Sequence, residues 1–363
     1  MNSNFGESLR RLPGPILVTG HTGFKGTWLT LLLESLSIPV VGISLPPEPD
    51  SLYSLMDREN KIEEKFIDIR NLVDLQNAIQ KFAPSAVLHM AAQPLVLESY
   101  ESPLSTFEIN IIGSANLLQS CLNTTSIESI GVITTDKVYK NIGSGRAFIE
   151  SDPLEGRDPY SASKVGAESV VTAWREISTL SSGPQIFSLR AGNVIGGGDR
   201  ASHRLLPDIV KSKLQENPLV VRNPQSTRPW QHVLDPLHGY VLALEKSLKN
   251  KISPAYNFGP ASKSLTVENV IKIANKAWDN SVNFETSGNS KKDKYEAGDL
   301  AIDASLSASE LDWSPKWSQE DAVKSTIKWW TLVTKRVLTP QQACLRDINF
   351  LLDCVTKKPK NSL

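Results

Sequence analysis

The stretch from Ile16 to Leu36 restricts the fold more tightly than any other part of the 363-residue chain. Ile16 to Thr19 is a short apolar run with the character of a buried strand. Gly20-His21-Thr22-Gly23-Phe24-Lys25-Gly26 follows at once. From Gly26 to Leu36, the residues Trp28, Leu29, Leu32, Leu33 and Leu36 recur along one side of a helix. A strand that passes within a few residues into a helix opens a β–α–β unit, and such units build a parallel sheet covered on both faces. The pattern then repeats. Strand signals recur at Val40 to Leu45, Lys65 to Ile69, Ala86 to Ala91, Ile130 to Thr135 and Ile186 to Ala191. Helical spacing separates them at Leu72 to Phe82, Thr106 to Leu122 and Tyr160 to Ile177. The expected class is α/β, with a doubly wound parallel sheet.

After residue 191 the texture changes. Gly196 to Gly198 make a flexible loop, and Pro207, Pro218, Pro224, Pro229 and Pro236 cut the chain into short elements. One more strand is expected at Ala255 to Gly259, and helices at Val267 to Trp278 and Glu320 to Val333. Beyond Thr339, the residues Leu345, Ile348, Leu351, Leu352 and Val355 keep helical spacing, and Lys357 to Leu363 read as a frayed end. The expected division is a nucleotide-binding domain over 1–190, to which 235–260 returns. A smaller mixed α/β substrate-binding domain takes 191–234 and 261–335, and 336–363 forms a helical tail.

The glycines carry the first chemical signal. A tight turn between strand and helix lets the backbone approach a pyrophosphate, and the helix N-terminus offers N–H groups and partial positive charge to it. The spacing is GxxGxxG rather than the usual GxGxxG. Gly20, Thr22, Gly23, Phe24 and Gly26 are the expected cofactor-facing set in this loop. Asp68-Ile69 follows the third strand, where a carboxylate can accept from an adenine amino group. Ala91-Ala92 ends the fourth, where small side chains let a cofactor lie against the backbone. The second strand ends in Ser44-Leu45-Pro46-Pro47, with no acidic residue to grip a ribose diol and no cation nearby for a 2′-phosphate. The missing cation favours NAD over NADP.

Tyr160-Ser161-Ala162-Ser163-Lys164 opens a helix, and residues four apart share one helical face. A free tyrosine, with a pKa of about 10, is a poor base at neutral pH. A neighbouring ammonium and a positively charged nicotinamide would lower it. An ordinary Tyr and Lys at a helix start would look the same, and the strand-end pair Thr134-Thr135 is what favours chemistry.

Composition removes several classes. Lys plus Arg and Asp plus Glu both number 39, so the chain lacks the cationic surplus that nucleic-acid binding requires. Cys121, Cys344 and Cys354 are far apart and form no CxxC, which argues against a disulfide framework or a metal site. The opening residues have no apolar signal core. The longest apolar run, Trp28 to Leu33, is interrupted by Thr30 and far short of the roughly 20 residues that span a bilayer. A cytoplasmic protein without membrane insertion is expected.

Taken together, GHTGFKG from Gly20, HMAAQPLV from His89, TTDKVY from Thr134, DPYSASK from Asp158, RAGNVIGGGD from Arg190 and RNPQSTRPWQHVLDPL from Arg222 resemble the extended short-chain dehydrogenase/reductases. Within that family the likeness is to the CDP-sugar branch of the nucleotide-sugar 4,6-dehydratases, and it spans roughly residues 14 to 335. The resemblance implies a Rossmann-type fold, bound NAD and a nucleotide-sugar substrate. It implies that Tyr160, aided by Lys164, takes the proton from the sugar 4-hydroxyl, which Thr135 orients. Asp136 and Lys137 would then supply the acid and base for loss of water across C5 and C6. Asn193 would contact the nucleotide sugar, with Arg222, Arg228 and His232 at its diphosphate and nucleoside and Gln93 and Tyr100 bordering the sugar. Dimerisation through helices 106–122 and 160–177 is also common in the family. Two segments depart from its pattern, Leu97-Glu98 and the loop after Tyr139 that runs KNIGSGRAFIES; both flank the expected sugar pocket. A nucleotide-sugar 4-epimerase would share the glycines, Thr135, Tyr160 and Lys164 without needing Asp136-Lys137. A non-catalytic Rossmann-fold binding protein would need only the glycines.

Overall fold

Six apolar runs and one polar segment form seven parallel strands in the computed structural model, which describes residues 5–143, 145–221, 223–249, 252–278, 284–286 and 300–356. They are β1 (Ile16–Thr19), β2 (Val40–Ser44), β3 (Glu63–Phe66), β4 (Ala86–His89), β5 (Ser129–Ile133), β6 (Gln185–Ala191) and β7 (Ala255–Phe258). Their order across the sheet is β7-β6-β5-β4-β1-β2-β3. Thr19 lies opposite Ile43 on one side and His89 on the other. The chain runs outward in both directions from β1 and β4, so their carboxyl ends bound the crevice where such sheets bind ligands.

Alternation within the strands divides the interior. Ile16 and Val18 face a core with Trp28, Leu29 and Leu32 of α1 (Phe24–Ser35). Leu17 faces the opposite one, with Ile79 of α2 (Leu72–Phe82), Leu117 of α3 (Gly113–Leu122) and Val171 of α4 (Pro159–Leu180). The first core also takes in α5 (Leu234–Ser247), α6 (Val267–Ala277), α7 (Gln319–Thr334) and the C-terminal α8 (Pro340–Thr356). Burial on both faces makes this a Rossmann-type doubly wound sheet. The segment Lys357 to Leu363 lies outside the described residues. No described helix is long and apolar enough to cross a membrane.

Three local departures from the sequence pattern matter. The third strand is Glu63–Phe66, not Lys65 to Ile69, so Asp68 and Ile69 lie in the loop beyond it. A polar edge strand has only weak apolar alternation, and this hid its true start. The helix expected over 106–122 is interrupted by a single π turn, Glu108–Ile112, between Pro103–Phe107 and α3. One extra residue in a turn does not disturb hydrophobic spacing enough to be read. The third departure is a set of short strand pairs that sequence periodicity cannot resolve. Val194–Ile195 pairs with Gln231–His232, Thr227–Arg228 with Leu265–Thr266, and Leu219–Val221 with Phe284–Thr286.

Both sheet edges are finished by side chains. On β7 the Asn257 N–H donates to Glu150 Oε1 at 2.7 Å, and the Asn257 carbonyl accepts from Ser307 Oγ at 2.6 Å. On β3, Glu63 and Lys65 are exposed.

Candidate active site

The glycine loop sits at the carboxyl end of β1, beside that of β4. Gly20 has φ of +72°, and a Cβ there would lie 2.8 Å from the Ala91 backbone nitrogen. A Cβ on Gly26 would collide with the Gly20 carbonyl. Packing within the protein therefore accounts for both. Gly23 is different: at the N-cap of α1 its φ is −74°, and the nearest atom to an added Cβ is the Gly20 carbonyl at 3.4 Å. Its missing side chain keeps the helix N-terminus open to an anion, as a pyrophosphate cradle needs. Thr22 Oγ1 meets Ser44 Oγ at 2.7 Å and donates to the Leu45 carbonyl at 3.1 Å, tying the loop to the end of β2. Phe24 faces Gly196, whose added Cβ would lie 3.2 Å from its ring.

The far cofactor positions are less uniform. The Asp68 carboxylate is held by Arg70, with Oδ2 accepting from NH2 at 2.6 Å, and that contact keeps it below the usual carboxylate range. The Ile69 side chain is buried and packs under α3 at Gly113. Ala91 N donates to Thr19 Oγ1 at 3.2 Å, and Ala91 and Ala92 are half-buried where β4 meets the loop.

The catalytic candidates converge at the ends of β5 and α4. Asp158 caps α4, accepting from Ser161 N at 2.9 Å, and Pro159 takes the first helical position, so Tyr160 is held in a fixed first turn. Tyr160 is buried, and Thr135 acts on its phenol. Lys164 Nζ donates to the Ile133 carbonyl at 3.3 Å. Thr135 Oγ1 donates to Asp136 Oδ1 at 3.1 Å, and Lys137 N donates to Thr135 Oγ1 at 3.3 Å in the turn Asp136–Val138. Asp136 is buried, and its Oδ2 accepts no hydrogen bond from the described residues. Burial raises its carboxyl above the ordinary range, against Lys137, the Thr135 hydrogen bond and Arg228.

The phenol behaves otherwise than expected from Lys164 alone. Burial pushes Tyr160 up to about 12, opposed by Thr135 and then by Arg204. Burial also lowers Lys164 to about 8, with Glu168 acting in the other direction. Arg204 was not visible as a site residue, since it stands outside every motif. It precedes a helix after the glycine-rich loop and makes an ion pair with Asp199 at 3.2 Å. Lys25, inside the glycine motif, also belongs here. Its Nζ donates to Tyr240 OH at 3.0 Å, and burial, Lys164 and Arg204 bring it down to about 7.

Among the substrate candidates, Arg228 is buried, with NH1 donating to the Thr227 carbonyl at 2.8 Å and its charge felt at Asp136. The Asn193 carbonyl accepts from Gln231 N at 3.0 Å, and a Cβ on the adjacent Gly192 would lie 3.0 Å from Asp136 Oδ2, so this turn abuts the acid. Tyr100 is half-buried on the short helix Val96–Glu101. Arg222 lies outside the described residues. Two of the expected residues have their partners within the protein. Gln93 spends its amide inside its own loop, donating to the Leu95 carbonyl and Thr106 Oγ1 and accepting from Leu95 N, and its backbone N–H donates to the π-turn residue Asn110. His232 is fully buried. Its ring stacks on Trp317 with centroids 4.2 Å apart, and Nε2 lies 3.7 Å from Asp347 Oδ2 of α8. A two-residue strand fixes which way a side chain points, and the sequence did not reveal that strand.

The model of the GDP-mannose 4,6 dehydratase family matches residues 17–326. A CDP-glucose 4,6-dehydratase from Salmonella typhimurium is 37% identical over 338 residues, which cover 91% of this chain and 92% of that protein. A dTDP-glucose 4,6-dehydratase from Haemophilus influenzae is 25% identical over 342 residues, covering 87% and 97%. Among solved structures, a Bacillus anthracis dTDP-glucose 4,6-dehydratase in complex with NAD superposes with a TM-score of 0.72 at 23% identity, covering 88% of this chain and 96% of that one. A dTDP-glucose 4,6-dehydratase from Streptomyces venezuelae with NAD bound gives 0.76 at 23% identity, covering 90% and 99%. These structural likenesses establish the fold.

Proposed function

The chain belongs to the GDP-mannose 4,6 dehydratase family, and from that premise we propose that it catalyses NAD-dependent 4,6-dehydration of a nucleotide-activated hexose, with CDP-glucose giving CDP-4-keto-6-deoxyglucose. The observation that carries this reading is Asp136: a buried carboxyl with a raised pKa, one oxygen held by Thr135 and the other unengaged, in the turn that faces Tyr160. A 4-epimerase has no use for an acid there; an elimination requires one.

Gly20, Thr22, Gly23, Phe24 and Gly26 would hold the dinucleotide, together with Asp68, the Ile69 backbone, Ala91 and Ala92. The open N-cap at Gly23 fits a pyrophosphate. Bound NAD supplies the chemistry of taking hydride from C4 and returning it at C6, and its positive ring favours the phenolate. Tyr160 takes the 4-hydroxyl proton, Lys164 supplies the adjacent cation, and Thr135 orients that hydroxyl. Once C4 is a ketone, the C5 hydrogen is acidic. Lys137 removes it, and Asp136, whose protonated form burial favours, delivers its proton to the departing C6 hydroxyl. Arg228 clamps the diphosphate, Asn193 and Tyr100 bound the sugar nucleotide, and Arg222 is assigned to it by resemblance alone.

We further propose a division into a dinucleotide-binding part over 1–190 with 235–260, a substrate-binding part over 191–234 and 261–335, and the helical tail 336–363. The protein is proposed to be a cytoplasmic homodimer. Leu104 and Leu180 are 81% and 89% exposed, and Phe107, Ile112 and Ile177 are exposed on the same two helical segments, an apolar surface that a second copy would cover. The deciding experiment is mass spectrometry after incubation with CDP-glucose. Loss of one water supports the dehydratase, a new isomer of unchanged mass supports the epimerase, and a panel of other nucleotide sugars ranks the base.

A further inference from the structure

Two motif residues have no part in the reaction just described. Thr134 stands beside the orienting Thr135, and Arg190 opens the segment that leads to Asn193. Glu168 joins them. Tyr160, Lys164 and Glu168 follow one another at four-residue intervals along α4, so their side chains descend one face of the helix. The Glu168 carboxylate is buried. Its Oε1 accepts from Thr134 Oγ1 at 2.5 Å and from Arg190 Nε at 2.9 Å, and its Oε2 accepts from Ser188 Oγ at 2.9 Å and from Arg190 NH2 at 2.8 Å. Thr134 is flanked by the two residues that meet the catalytic pair: Lys164 Nζ donates to the carbonyl of Ile133 at 3.3 Å, and Thr135 acts on the Tyr160 phenol.

We propose that Glu168 is a positioning residue of this reaction: by gripping Thr134 it fixes the strand end 133–135 against α4, and so sets the Ile133–Lys164 and Thr135–Tyr160 contacts together. The proposal rests on the roles given above to Tyr160 and Lys164. The grip is stiff because all four bonds to the carboxylate come from buried donors. Arg190 is anchored in turn, its NH1 donating to Tyr139 OH at 2.9 Å and to the Glu150 carbonyl at 3.0 Å. A carboxylate held by a forked guanidinium cannot turn away from Thr134 without breaking several charge-assisted hydrogen bonds. Glu168 also lies one helical turn from the ammonium and opposes the effect of burial on it.

A purely structural tie between α4, β5 and β6 would use the same Glu168–Arg190 pair but would have no need of the Thr134 hydroxyl. Thr134→Val therefore separates the two readings, because it removes one donor and leaves both charges and the branched shape. We expect kcat to fall about tenfold or more, because a small misplacement of reacting groups is costly in rate. The KM for the nucleotide sugar should stay within about twofold, since the sugar and phosphate contacts are untouched. Thr134→Ser, which returns the hydroxyl, should recover most of the lost kcat. Glu168→Gln should move the basic limb of the kcat–pH profile to lower pH, as Lys164 loses the carboxylate that favours its ammonium. Should Glu168→Gln fail to fold, the Thr134 pair decides alone. An active parent enzyme with Thr134→Val at full kcat, or with Thr134→Ser no better than Thr134→Val, overturns the positioning role by itself. A parent that forms no 4-keto sugar from any nucleotide sugar overturns the proposed function and this role with it.

Discussion

Asp136→Asn isolates the proton that leaves with the C6 hydroxyl. The amide has nearly the volume of the carboxyl, and its oxygen can still accept from Thr135 Oγ1, the bond now seen at 3.1 Å. Burial favours the carboxyl's neutral form, which the amide resembles, and stability should change by no more than about 1 kcal/mol. What the amide cannot do is give up a proton to a leaving hydroxide. General acid catalysis is worth about 10²–10⁴ in rate, which is roughly 3–5 kcal/mol of barrier, and turnover should fall by that factor. Oxidation at C4 depends on Tyr160, Lys164 and Thr135, so it should survive. Stopped-flow absorbance should then show reduced nicotinamide accumulating in one enzyme equivalent, while the alkaline absorbance of the 4-keto-6-deoxy product stays low. Normal turnover by Asp136→Asn would remove Asp136 from the mechanism. Loss of both signals together, in a variant that melts like the parent, would instead place its role before the elimination.

Three further outcomes follow from the geometry. Arg228→Ala should raise the KM for the nucleotide sugar more than it lowers kcat, because a buried guanidinium suited to phosphate acts mainly in binding; an unchanged KM in steady-state assays would exclude the clamp. Gly26→Ala places a Cβ against the Gly20 carbonyl and should cost about 3 kcal/mol or more, whereas Gly23→Ala should remain within about 1 kcal/mol of the parent in urea melts while its NAD affinity falls in titration calorimetry. Equal NAD affinity in parent and Gly23→Ala would mean that the open N-cap is not the pyrophosphate cradle. Burial brings the Lys164 ammonium down to about 8, so its charge is present below that pH and lost above it, and kcat should decline on the basic side with a midpoint near 8. Lys164→Arg keeps a cation throughout, so any residual activity should lose that limb, and a parent profile that stays level well above that pH would contradict the assignment.

The sheet was largely legible because its strands are buried on both faces, and β1, β4 and β6 were read to within two residues at either end. The reading slipped where structure depends on partners distant in sequence. β3 was placed late because Glu63, Glu64 and Lys65 do not look like strand residues until β2 is beside them. The convergence of Thr135, Asp136, Tyr160 and Lys164 followed from a strand end and one helical turn, both local patterns. The surroundings of His232 and Gln93 were not legible, because nothing local tells which way a side chain leaves a two-residue strand or a loop. Arg204 lacked any spacing relation to the other site residues. Glu168 could have been found, since it continues the Tyr160–Lys164 interval by one more turn, but its partners Thr134 and Arg190 are brought to it only by the sheet.

The two finished edges bear on how the protein behaves at high concentration. An open seven-stranded sheet ends in two rows of backbone groups that could template a strand from another molecule. At β7 the amide and carbonyl of Asn257 are occupied by Glu150 and Ser307, and at β3 an incoming strand would have to settle beside Glu63 and Lys65. Fibril-like growth by edge addition is thus hindered at both ends, by occupied backbone groups at Asn257 on one side and by charge on the other.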